Sequence, residues 1–158
     1  MLIERDCFEL AEVAEDLDLT PPVIRECVGS GRLRLSVRLV AQWVSLSYWE
    51  VAEDGTPFSV PLGDEFVTRV ADLSISDAYA LVRCGERQVC HVEFEDQTIA
   101  ELRQGEGLLL TTVDALVRRG HLDQFRAGLA SAAHEQKAPV PKAFGFRRFE
   151  DDGAICKF

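Results

Sequence analysis

The sequence predicts an α+β protein: a winged helix-turn-helix-like unit at the N-terminus, then a small antiparallel sheet with flanking helices. Two patterns and one turn carry that expectation. Apolar residues recur at helical spacing from Leu10 to Val28, then alternate with polar residues from Arg32 onward. Asp54-Gly55, a strong tight-turn pair, folds the second stretch back on itself.

Leu10, Val13, Ala14 and Leu17 stand at i, i+3, i+4 and i+7, an amphipathic helix that should end around Asp16 to Asp18. Thr20 is a good N-cap for a second helix, with Pro21 and Pro22 tolerated in its first turn. Ile24, Cys27 and Val28 form its inner stripe, Pro22, Arg25 and Glu26 face outward, and Gly29-Ser30-Gly31 stops it. Residues 32–40 alternate as a half-buried strand with Arg32, Arg34 and Arg38 on the open face. A second strand spans roughly Trp43 to Ala52, and Phe58-Ser59-Val60 should pair back on it. Periodicity leaves 64–72 open between helix and strand. Ala78 to Cys84 and Gln88 to Phe94 look like a second hairpin turning at Gly85-Glu86-Arg87, and 97–104 has helical character. Leu108 to Leu110 is a buried strand or a helix start, Thr112 caps a short turn, and His121 to Ala130 forms a last helix with Leu122, Phe125 and Leu129 inward. Three parts are expected: a module over 1–40, an α+β domain over 41–130 for dimerisation or partner binding, and a partly extended or disordered tail over 131–158.

Charge is unevenly spread. The net charge of −10 includes −6 over residues 1–19 and −7 over 51–100, while 20–50 carries +2. Phosphate binding needs local positive charge, so only a focused patch in the third of these stretches suits nucleic acid. No stretch approaches the length of a membrane span, and the acidic start lacks the apolar core of a secretory signal. Five scattered cysteines then fit free thiols in a reducing cytoplasm.

The run Phe8-x-Leu10-x-Glu12-Val13-Ala14-x-x-Leu17-x-Leu19-Thr20-x-x-x-Ile24-Arg25-x-x-Val28-x-x-Gly31-Arg32-Leu33 resembles the N-terminal module of MerR-type and excisionase-like winged helix-turn-helix proteins. The resemblance covers about residues 6–40. It implies a bacterial DNA-binding regulator, homodimeric, with a mobile element as one source and double-stranded DNA as partner. Thr20 and the helix amides would hold a phosphate, Arg25 would reach base edges, and Arg32, Arg34 and Arg38 would fix register on the backbone. Residues 40–94, which read mainly as strands, leave no counterpart to that family's long dimerising helix. The alternative is an acidic protein–protein adaptor or inhibitor that keeps the helix-turn-helix only as scaffold and docks a basic partner on its acidic middle segment.

Other chemistry has less support. Cys84, Cys90 and His91 lack the second ligand pair of a structural zinc site, so no metal and no cofactor is expected, and the two cysteines read as small core residues facing each other across a hairpin. His121 and His134 stand in no nucleophile motif, and catalysis is not expected. Alternation puts Trp43 and Trp49 on one strand face and Tyr48 on the other, for core packing or an interface.

Overall fold

The computed structural model describes residues 5–102 and 107–136, the side chains of 133–136 excepted. The expected tail therefore lies largely outside the described residues. The fold is α+β, with four helices and mainly antiparallel strands. In chain order these are β1 (Cys7–Glu9), α1 (Leu10–Asp16), α2 (Pro21–Gly29), β2 (Ser36–Val51), β3 (Pro57–Asp72), α3 (Ile75–Cys84), β4 (Glu86–Val89), β5 (His91–Glu93), β6 (Ile99–Leu102), β7 (Leu108–Thr111), β8 (Leu116–Arg118) and α4 (Arg119–Gln136).

Six strands lie in the order β1-β8-β2-β3-β5-β6, and β6 also pairs with β2, so β2, β3, β5 and β6 close into a ring. β4 and β7 form a separate two-stranded ribbon. Leu35, Leu39, Val44, Ala71, Ala100 and Val117 are fully buried, and α2, α3 and α4 add Val28, Leu81, Leu122 and Phe125 to the same core. Leu33 on the link into β2 completes the cover. No helix among the described residues is long and apolar enough to cross a membrane.

α1 and α2 form where the apolar spacing places them, and the α1 start is held by the Glu12 carboxylate, which accepts the Glu9 amide at 3.0 Å. Five expectations are corrected downstream. Arg32 and Arg34 precede the strand, which begins only at Ser36, because the Leu33 amide is still bonded to the α2 end at Cys27. The two strands expected over 32–40 and 43–52 are one, carried past residue 40 by a bulge where Ala41 takes φ +51° and donates to the Thr68 hydroxyl. Ala78 to Cys84 is helix, not half of a hairpin; Ser74 accepts the Asp77 amide at its start and Gly85 ends it at φ +84°. Residues 99–102 are strand rather than helix, because pairing with both β2 and β5 outweighs local preference. The last helix continues through residue 136 instead of lapsing at 131. The open segment 64–72 is strand, and the Asp54-Gly55 turn joins β2 to β3 as expected.

One polar knot ties these elements together. Asp72, at the end of β3, accepts the Ser36 hydroxyl at 2.6 Å and Arg118 Nε at 3.0 Å. Arg118 also donates to the Val70 carbonyl at 2.7 Å and to Glu95 in the β5–β6 turn. His121 Nε2 lies 3.8 Å from the second Asp72 oxygen, and its buried Nδ1 has no hydrogen-bond partner. Burial, aided by Arg34 and Arg118, holds the His121 pKa below its ordinary value, although Asp72 and Glu95 pull it upward. The imidazole is thus neutral near pH 7, and its contact with Asp72 is not an ion pair.

Two outcomes follow. Asp72→Ala strips Arg118 of its buried partner and should cost about 3 kcal/mol in urea unfolding. On acidification, the unfolded chain takes up the His121 proton from about pH 6.5, while the folded protein resists it. Stability should therefore be flat above that pH and fall as the pH drops below about 6.5, and His121→Asn should flatten part of the fall.

Candidate functional site

The expected arginine surface is spread over separate neighbourhoods. Thr20 is the backbone N-cap of α2, with its side chain making no capping hydrogen bond. Pro21 and Pro22 carry no N–H, and the Ile24 amide is already bonded to the Thr20 carbonyl, which leaves Val23 as the first-turn donor. Arg25 is half-buried in an open groove between α2 and α3, beside Pro22, Ile75 and Tyr79, and so does not project freely outward. The Tyr79 ring lies over Gly29, where an added Cβ would stand 3.0 Å from it.

Arg32 pairs with Glu26 at 3.3 Å and receives its other support from the Ser30 hydroxyl. Arg34 is exposed near the Asp72 knot, close enough to depress the His121 pKa. Arg38 lines a cleft with Arg5, Asp6, Glu9 and Asp114, so acids share its surroundings. Arg34 and Arg38 make no hydrogen bond or ion pair among the described residues.

A different surface concentrates more. β2 and β3 are sixteen residues each, roughly 50 Å if fully extended. Their pairing forms an arm closed by a tight turn, in which Ala52 N–H donates to Thr56, Gly55 N–H to Ala52 and Thr56 N–H to the Asp54 carboxylate. That last bond holds Asp54 below the usual carboxylate range. A second bulge, with Leu62 extra on β3 and Gly63 at φ +109°, bends the arm further. Residues 39–68 contain five carboxylates (Glu50, Glu53, Asp54, Asp64, Glu65) and no lysine, arginine or histidine.

The same arm exposes large apolar groups: Trp43, Trp49, Val51, Phe58, Leu62 and Phe66. Directly paired residues share a face of the sheet, as do residues two apart on one strand. Val44 and Leu46 turn inward with their β6 partners Leu102 and Ala100. Trp43 and Phe66 are therefore outward, with ring centroids 5.4 Å apart at 54°. One step along, Asp64, Ser45 and Glu101 form a row across β3, β2 and β6 on that outer face, with Ser45 donating to Asp64 at 2.7 Å. Alternation in the sequence put Trp43 and Trp49 on one strand face but left it open between core and interface; both are exposed, and the row depended on the unforeseen strand β6.

Cys84 and Cys90 are corrected as well: Cys84 ends α3, Cys90 lies between β4 and β5, and both are exposed. Among the described residues no group of three or more His, Cys, Asp or Glu side chains is placed to hold a metal ion. Compared with protein-family models, curated proteins and solved structures, the chain matches none.

Arg32 and Glu26 are both well exposed, so their pair contributes little. Arg32→Ala should move the unfolding free energy by no more than about 0.5 kcal/mol, as a urea titration would register.

Proposed function

We propose that this protein is a protein–protein adaptor that holds a cationic partner against its β2–β3 arm. The single supporting observation is the arm's composition: exposed aromatic groups and five carboxylates, with no side-chain cation over residues 39–68. Exposed apolar area on this scale is costly to keep in water and characteristic of contact surfaces. Aromatic anchors supply contact area, and surrounding charge selects the partner and steers its approach. Like charges also disfavour one arm against another, so the fitting partner is a basic segment of a different protein.

Nona-lysine is a suitable first probe, followed by tryptophan fluorescence. It should bind saturably and weaken as salt rises. Neutralising Glu50, Glu53, Asp54 and Glu65 together (Gln or Asn) should weaken binding at least about tenfold, as expected for several lost charge contacts. Neutralising Glu15, Asp18, Glu86 and Asp123, four exposed carboxylates elsewhere, should have far less effect. Equal losses from the two sets would reduce the interaction to overall charge and defeat the adaptor assignment.

A second reading rests on Arg34 and Arg38, exposed cations without an ion-pair partner among the described residues. They support a winged helix-turn-helix regulator that meets double-stranded DNA with α2 and the start of β2, as the MerR-like run implies. A mobility-shift assay at low salt separates the two. This reading requires a retained complex that Arg34→Ala with Arg38→Ala dissolves and the arm variants leave intact.

A further inference from the structure

We infer that the cleft between the bend of the arm and the β5–β6 turn is a seat for one lysine side chain of the partner. This rests on the adaptor assignment and narrows it from a cationic surface to a single ammonium group on an apolar stem. The cleft holds about 500 Å³. Its lining includes Trp49 and Leu62 from the arm, Ile99 from β6 and Glu93 from β5. Trp49 is 59% and Leu62 56% exposed, so apolar area at the cleft stays open to water until a ligand covers it.

Strand register accounts for the arrangement. Ser47 lies opposite Pro61 on one side and Ile99 on the other, and Ile99 lies opposite Glu93. These positions form one row on the outer face, since Ala100 and Val92, one step along, are buried. Leu62, the extra residue of the second bulge, follows Pro61, and Trp49, two residues from Ser47, shares the face. The strip thus runs from apolar groups on the arm to a carboxylate on β5. The Glu93 side chain makes no hydrogen bond or ion pair among the described residues. Asp96 also borders the cleft, but its carboxylate accepts the Thr98 amide at 3.1 Å and so closes the turn. An apolar strip ending in one open acceptor fits a lysine, whose methylene stem covers apolar surface while its ammonium meets a carboxylate. Guanidinium, a planar fork, is best matched by paired acceptors, and here one is taken.

The test follows Trp49 emission on the full chain carrying Trp43→Phe, which leaves Trp49 as the sole tryptophan. Hexylammonium should bind saturably and about tenfold more tightly than methylammonium, as for about two methylenes leaving water. Hexanoate, with a similar stem and the opposite charge, should leave the emission unchanged. Glu93→Gln should weaken hexylammonium at least about threefold, and should weaken nona-lysine more than Glu86→Gln, which neutralises an exposed carboxylate elsewhere. Leu62→Ser should narrow the gap between hexylammonium and methylammonium. Hexanoate binding, hexylguanidinium binding more tightly than hexylammonium, or indifference to Glu93→Gln would overturn the lysine seat. With nona-lysine still held by the arm carboxylates, the adaptor assignment would then stand. Failure of nona-lysine to bind would remove the two together.

Discussion

The Asp72–Arg118 pair is the constraint on which the rest of the architecture hangs. Taken alone, a buried ion pair is an uncertain source of stability, since desolvation offsets most of the Coulomb gain. Here its partners come from far apart in the chain: Ser36 from the start of β2, Asp72 from the end of β3, Arg118 from β8 and Glu95 from the β5–β6 turn. A hydrophobic patch would tolerate sliding among these elements, whereas a carboxylate with directional donors accepts one register. That register places Leu116 opposite Ser36 and so fixes where β8, and α4 behind it, join the sheet.

From that fixed base the β2–β3 arm reaches outward, and its two ends have opposite character. Near the knot, Val67 and Ala71 are buried and Arg69 lies on Phe94. Beyond Phe66 the side chains are mostly exposed and the charges all negative. Of the arginines of residues 25–38 only Arg38 lies on the ribbon, near its other end, and their surroundings include Glu26, Asp6, Glu9 and Asp114. Charge is thus separated along the molecule. The acidic arm also exposes aromatic groups, while the basic residues are interleaved with acids.

How far this could be read beforehand depended on how local the cause was. α1, α2 and α4 announce themselves through apolar spacing, and the Asp54-Gly55 turn fixes its own hairpin whatever surrounds it. α3 had a local signal too, in Ser74-x-x-Asp77 and the stop at Gly85, but alternating small and apolar residues from Ala78 to Cys84 imitate a strand. β6 had none: residues 97–104 have helical character, and pairing with β2 and β5 makes 99–102 a strand instead. Side-chain surroundings were the least legible part. Nothing in the order of residues says that Arg32 meets Glu26, that Tyr79 crosses Gly29 or that Glu101 joins Asp64 across a third strand.

Strand β3 has a final consequence for the life of the protein in a crowded solution. It pairs with β5 only at Asp72, so from Pro57 to Ala71 its outer edge has no partner strand among the described residues. An edge of that length is the template from which fibrils grow. Pro57 and Pro61 remove two amide donors from the strand, and the Leu62–Gly63 bulge breaks its straightness. The prolines and the kink work against the recruitment of further copies along this ribbon into an endless sheet.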